Sequence, residues 1–262
     1  MAGPKELISQ GFYAKKQLYL KDWLISWSHQ RRFETGLQLV RQFQPKRLLD
    51  YGCGDGTFLA LLQQAGASME QAVGCELQES VVTGLQDRFR RMPRLQFYLV
   101  RDVDNEAHHG HYDMITCMEV LEHVVQTCEV IHRLSRLLAP GGRLIVSVPV
   151  EIGAALVLKQ SARRIAGWRG LGDYRFVARY SWSELYASLA PGIKQHIPRS
   201  VYQEPDGTNF HDHKGFNWKV LQRDLDRVFR TERIVYSPLA WLPAMASQVW
   251  LILTPRDAAP SP

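Results

Sequence analysis

The sequence predicts a doubly wound α/β domain built on a mostly parallel, seven-stranded sheet. Three observations predict it. Short continuous apolar runs read as strands buried on both faces, amphipathic helical patterns lie between them, and a glycine-rich turn follows the first run directly.

The runs are Arg47–Asp50, Ala72–Glu76, Leu95–Val100 and Tyr112–Cys117, and a fifth, Arg143–Pro149, follows the turn Pro140-Gly141-Gly142. Between them, Phe58, Leu59, Leu61 and Leu62 form one apolar helical face. Val81, Val82, Leu85 and Phe89 form a second, and Val130, Ile131, Leu134, Leu137 and Leu138 a third. This alternation predicts right-handed crossovers. Glu232–Tyr236 and Gln248–Leu253 read as two further strands. The expected organisation is a helical cap over 1–45, a core over 46–150, an inserted lid over 151–210, a return to the core over 211–255 and a flexible tail over 256–262. An insertion after the fifth strand falls at the carboxyl edge of the sheet, where ligands bind.

With 262 residues, 45% of them hydrophobic and 22% charged, the chain can bury a full core. No stretch approaches the ~18–20 apolar residues of a membrane span, and no apolar run after Met1 marks a signal peptide. Cys53, Cys75, Cys117 and Cys128 form no CxxC pair and read as reduced thiols of a cytoplasmic protein. A net charge of +6 favours polyanions in general, nucleic acid and anionic membrane alike, without choosing between them.

The chemistry concentrates after the first run. Asp50-Tyr51-Gly52-Cys53-Gly54-Asp55-Gly56-Thr57 is a strand end, a glycine-rich turn and a helix start. Such a turn lets a ligand approach the backbone, and alone it would equally suit a dinucleotide. The second run ends in Glu76, placed to accept from ribose hydroxyls, and the third in Arg101-Asp102-Val103, where Asp102 can accept from an adenine amino group. Helix and turn capping accounts for any one of these acids. The ordered set of three is harder to explain that way.

These residues, with Tyr112-Asp113-Met114-Ile115 and Leu138-Ala139-Pro140-Gly141-Gly142-Arg143-Leu144, resemble the class I S-adenosylmethionine methyltransferases over roughly residues 45–150. The resemblance implies a Rossmann-like core. It places the methionine part on Gly52, Gly54 and Gly56, the ribose on Glu76 and the adenine on Asp102. Asp50, Leu77, Val103 and Glu119 complete the implied cofactor set. The glycine spacing is GxGxG, not the GxGxxG of dinucleotide enzymes.

After the fourth run comes Glu119-Val120-Leu121-Glu122-His123-Val124. A helix beginning here puts Glu119, Glu122 and His123 on one face, a set able to bind a divalent cation such as magnesium. Glutamates at a helix start are equally explained by the helix dipole. The stretch resembles the corresponding segment of the ubiquinone-biosynthesis O-methyltransferases. It is also similar to the Glu-x-x-Glu-His segment of the Hen-type small-RNA 2′-O-methyltransferases, whose trio binds a metal with a later His. His211-Asp212-His213-Lys214-Gly215-Phe216-Asn217-Trp218 is similar to that later segment, with Gly215 inserted. The match makes His213 the fourth ligand. Otherwise His211 or His213 serves as general base, with His123 nearby, or both lie in an ordinary surface loop.

The resemblance implies that the helix of Ser26–Phe33 covers the cofactor, whereas the residues alone read as an amphipathic helix with Arg31 and Arg32 exposed. The insertion carries Lys159, Arg163, Arg164, Trp168 and Arg169, a composition that fits either a packed lid or peripheral membrane contact through 152–171. The expected activity is methyl transfer to a hydroxyl of a small, lipid-linked or sugar-derived acceptor. The alternatives are a metal-assisted RNA 2′-O-methyltransferase, disfavoured by the lack of aromatic-studded basic strands, and a non-catalytic cofactor-binding subunit.

Overall fold

The computed structural model describes residues 23–157, 160, 180–189, 192–238 and 246–256. Arg163, Arg164 and Trp168 of the insertion, residues 1–22 of the expected cap and 257–262 of the tail lie outside the described residues.

A first helix, α1 (Trp23–Phe43), leads into β1 (Arg47–Tyr51), α2 (Thr57–Gln64), β2 (Gln71–Glu76), α3 (Glu79–Phe89) and β3 (Leu95–Leu99). There follow a single turn, α4 (Val100–Val103), then β4 (Tyr112–Met118), α5 (Thr127–Leu137) and β5 (Leu138–Pro149). The expected insertion over 151–210 holds α6 (Trp182–Leu189), the short strand β6 (Val201–Gln203) and most of β7 (Asn209–His211), and after it come α7 (Trp218–Leu225), β8 (Phe229–Ser237) and β9 (Gln248–Pro255). Seven strands make one sheet in the order β3-β2-β1-β4-β5-β9-β8. The first five are parallel, and β9 runs antiparallel to both β5 and β8. The doubly wound, seven-stranded expectation holds, with β6 and β7 forming a separate hairpin.

The double winding is visible residue by residue. Leu48 faces the core under α1, α2 and α3, while its neighbour Leu49 faces the core under α5 and α7. Leu144, Ile145 and Val146 alternate in the same way, as do Trp250, Leu251 and Ile252. Burial on both faces explains why these strands read as continuous apolar runs, not alternating ones.

Two boundaries differ from expectation. β5 begins at Leu138, and the turn Pro140-Gly141-Gly142 is a bulge within it: pairing passes from Tyr112–Leu138 directly to Met114–Arg143. No helix begins at Glu119. The chain turns through 121–123, pairs Val124 with Phe210 in an isolated bridge, and becomes helical only at Thr127.

Among the described residues, no helix is long and apolar enough to cross a membrane. Cys53, Cys75 and Cys117 are buried and Cys128 is exposed, all four as free thiols.

Ile115 is fully buried at the centre of β4. Ile115→Ala should lower unfolding free energy by about 2–5 kcal/mol. Urea denaturation checks this, and a loss under about 1 kcal/mol would mean that the site collapses around the deletion.

Candidate active site

The site lies at the carboxyl edge of β1, β2 and β4, where the sheet's strand order reverses. The backbone N–H groups of Gly52 and Cys53 both donate to the carbonyl of Cys75, at 2.9 and 3.1 Å. These bonds tie the exit of β1 to the end of β2. The next amide, Gly54, donates to Glu76 Oε1 at 2.7 Å, and Leu77 N–H donates to Glu76 Oε2 at 3.0 Å. Each carboxylate oxygen keeps a lone pair for a further donor.

The glycines do different work. Gly52 has φ 72°, and a Cβ there would stand 2.4 Å from Val120 Cγ2, so the turn needs glycine twice over. Gly56 does not line the cleft. A Cβ on it would press on Leu85 and Phe89 of α3 at 3.0 Å, so its smallness serves helix packing.

A cleft of about 900 Å³ opens over this edge. Its walls include Asp50, Gly52, Gly54, Glu76, Leu77 and Glu119 of the expected cofactor set. Val100 lines it too, whereas Asp102 does not: the Asp102 side chain is 55% exposed on α4 and faces Arg101 at 3.7 Å. Val103 is wholly buried in the core and does not line it either. The third strand tip thus joins the site through Val100.

Asp50 is buried, with Oδ1 accepting from the Thr116 hydroxyl at 2.7 Å and Oδ2 without a hydrogen-bond partner. Burial pushes its carboxyl up to about 7. Thr116 pulls the other way, and the nearby Glu76 charge adds to the rise.

Sequence reasoning missed two features of this cleft. The first is Arg32, which is buried, unlike the exposed Arg31 beside it. It lines the cleft and faces Glu119 at 3.5 Å. The second is Arg133, which donates to Asp104 at 2.8 Å and to the Tyr51 hydroxyl at 3.1 Å, while Arg136 also holds Asp104 at 2.8 Å. Neither was legible because an arginine on an amphipathic helix reads as solvated.

The β6–β7 hairpin lies along the mouth of the cleft. Its loop is fastened by Gln78, which donates to Glu204 at 2.8 Å and to Asp206 at 3.4 Å. At its other end His211 N–H donates to the carbonyl of His123 at 2.9 Å. Glu204, Thr208, Asn209 and Phe210 face the cleft.

The late histidines separate. The His211 ring turns away, Nδ1 donating to the Ser200 carbonyl at 2.8 Å. The His211 carbonyl instead accepts from His123 Nδ1 at 2.8 Å, which makes Nε2 the acceptor nitrogen of the neutral ring, 3.9 Å from Glu122 Oε1. His213 packs edge-on against His123, ring centroids 4.7 Å apart. Glu122, His123 and His213 place one ligand atom each within 4.8 Å of one another. Glu119 stands apart from that trio, bound to Arg32 and at 3.3 Å to the Ser147 hydroxyl. The expected shared helix face of Glu119, Glu122 and His123 does not exist, because Glu119 leaves β4 at φ 57° and no helix follows.

Glu122 is fully buried and neither carboxylate oxygen has a hydrogen-bond partner. Burial pushes its carboxyl well up, and the negative charge of Glu119 adds to the rise. Arg199 braces the trio. Its guanidinium donates to the carbonyls of Glu122 and Asp212, the latter at 2.8 Å, and sits over the Phe216 ring.

The methyltransferase domain family matches residues 26–190. The chain belongs to that family. A ubiquinone biosynthesis O-methyltransferase of Hydrogenovibrio crunogenus is 32% identical over 116 residues, 42% of this chain and 47% of that protein. The chain spans between 47% and 64% of such curated relatives. The PH0226 protein of Pyrococcus horikoshii OT3 superposes with a TM-score of 0.58 at 13% identity, over 95% of this chain and 98% of that one. The methyltransferase domain of bacterial CtHen1-C gives 0.55 at 16% identity, over 87% and 99%. At these identities the structures share the fold. The family's cofactor is S-adenosylmethionine, and the cleft fits it. Glu76 can take the ribose diol, Arg32 is a buried cation for a carboxylate, and Leu77 and Val100 offer apolar surface.

The folded chain retains on Asp50 a proton that the unfolded chain releases near pH 3.8. Stability held by that proton is full below about 3.8 and is lost as pH rises through about 7. Asp50→Asn should flatten this decline in thermal melts across that window. A decline as steep as in the unsubstituted protein would remove the assignment.

Proposed function

We propose that this protein transfers a methyl group from S-adenosylmethionine to a hydroxyl of a small acceptor. The observation that carries the reading is the wall formed by Gly52, Gly54 and Glu76, whose backbone and carboxylate are already ordered for a ribose and an amino-acid tail. The bound cofactor supplies a methyl carbon made electrophilic by its positive sulfur. The protein's part is to align the acceptor and to take the hydroxyl proton. Of the three candidate histidines only His123 lines the cleft, so the general-base reading moves from His211 and His213 to His123 Nε2. The choice of oxygen as acceptor atom rests on the O-methyltransferase names of the curated relatives.

A specific observation favours a second reading, in which a divalent cation assists. Glu122, His123 and His213 form a carboxylate and bis-imidazole set whose carboxylate is otherwise unpartnered. A cation held there would lower the pKa of a hydroxyl bound to it. Two imidazoles suit manganese, iron or zinc better than magnesium, which prefers oxygen ligands. The same chemistry would serve an RNA 2′-hydroxyl as well as a small molecule.

A lipid-linked acceptor is supported from another side. Downstream of the basic stretch 152–171, α6 exposes Trp182 and Tyr186, each 80% accessible, and Leu189, with Ile193 beyond it. Aromatic and aliphatic side chains exposed together, with Lys194 adjacent, match the interfacial layer of an anionic bilayer.

Glu76→Ala should weaken calorimetric binding of S-adenosylhomocysteine at least about tenfold, the loss of ~1.4 kcal/mol or more of hydrogen bonding to the ribose. Unchanged affinity would overturn the ribose assignment. Methyl transfer that survives a strong chelator would favour His123 as base over the cation, and transfer to any acceptor excludes a merely binding role. For the membrane, the doubly substituted Trp182→Ser, Tyr186→Ser protein should lose most of its co-sedimentation with anionic vesicles. Absence of co-sedimentation by the unsubstituted protein would end the membrane reading.

A further inference from the structure

The carboxylates that line the cleft are those of Asp50, Asp55, Glu76, Glu119, Glu129 and Glu204. All but Glu129 are engaged. Asp50 accepts from Thr116, Asp55 from the amide of Thr57, and Glu76 from the amides of Gly54 and Leu77. Glu119 accepts from Ser147 and Glu204 from Gln78. Glu129, in the first turn of α5, is the exception: among the described residues none donates to its carboxylate. Its natural partner is Arg133, at i+4 on the same helical face and in the favourable order of acid before base. Arg133 is held elsewhere, donating to Asp104 at 2.8 Å and to the Tyr51 hydroxyl at 3.1 Å.

The place of Glu129 matters as much as its lack of a partner. Asp104 follows the α4 turn that Val100 opens, so its bond to Arg133 sets α5 beside the tip of β3. Glu129 stands one helical turn from that bond. Val100 and Val130 give the cleft an apolar lining here, and Leu77, 62% exposed, follows Glu76, the acid suited to the ribose. Neither acid beyond β3 is placed to serve a ligand. Asp102 lies outside the cleft, and Asp104 is taken by Arg133 and, at 2.8 Å, by Arg136. Adenine has flat apolar faces and an amino donor on its edge. A carboxylate accepts from that amino group and is repelled by the carbonyl oxygen that hypoxanthine carries in its place.

We propose that Glu129 reads the adenine of S-adenosylmethionine by accepting from its amino group, a part that Asp102 does not reach. The inference deepens the cofactor reading given above and rests on it. Gln126, which also lines the cleft, precedes α5 and, as an amide, would accept or donate equally. Only the carboxylate makes the site selective for the amino group.

The test is calorimetric affinity of the full chain for S-adenosylhomocysteine and for S-inosylhomocysteine, which bears oxygen in place of the amino group. The unsubstituted protein should prefer the adenine compound about tenfold, the low end for a bond to a charged group, because Glu129 is exposed. In Glu129→Gln, whose amide can also donate to a carbonyl, the preference should fall to about twofold or less. In Asp102→Asn it should stay at about tenfold. Each ratio compares two ligands on one protein, so a variant that merely loosens the fold weakens both and leaves the ratio alone. A preference unchanged in Glu129→Gln, one lost in Asp102→Asn, or none in the unsubstituted protein would overturn the assignment and leave the cofactor reading intact. Failure of S-adenosylhomocysteine to bind the unsubstituted protein overturns both.

Discussion

The exit of the chain from β1 governs the rest of the site. Two successive amides, Gly52 and Cys53, converge on the carbonyl of Cys75, and a third, Gly54, on the carboxylate of Glu76. These bonds bind the glycine turn to the tip of the neighbouring strand, so the loop and the acid that serve one ligand are placed by the same contacts. The close approach of Val120 to Gly52 extends the constraint to the exit of β4. Once Gly52 is fixed, the path that starts at Glu119 has little choice, and with it the placing of Glu122 and His123.

The cleft also concentrates ionisable groups that burial disfavours. Asp50 and Glu122 are buried acids whose carboxyls are pushed up chiefly by loss of solvent, and Arg32 is a buried cation. Such groups weaken a fold unless something offsets their desolvation. Thr116 does so for one oxygen of Asp50, and Arg199 supports the backbone around Glu122 without touching its carboxylate oxygens. Buried acids raised by desolvation beside a cleft are candidates for a ligand site.

The parts of this arrangement set by local sequence were readable in advance. β1 to β4 and their helices declare themselves because strands buried on both faces must be apolar throughout, and Glu76 because it ends such a run after a glycine turn. What depended on tertiary contacts was not readable. The spacing of Glu119, Glu122 and His123 is helical, yet the positive φ at Glu119 comes from the junction with β4, which no local pattern records. Arg31 and Arg32 are indistinguishable as letters, and only the packing of α1 over the cleft buries one of them. Asp102 sits where a strand-end acid should, but β3 ends at Leu99 and the intervening turn of α4 carries it out of the cleft.

The hairpin of β6 and β7 is anchored at both ends of the cleft mouth, by Gln78 at its loop and by the backbone of His123 at its base. A nucleoside bound in the cleft would have this hairpin along its edge, held by those few surface bonds. Were the hairpin to open and close with each cycle, its opening rate would cap turnover whatever the speed of the methyl transfer. The spent cofactor would then be retained by the same few bonds that hold the hairpin in place.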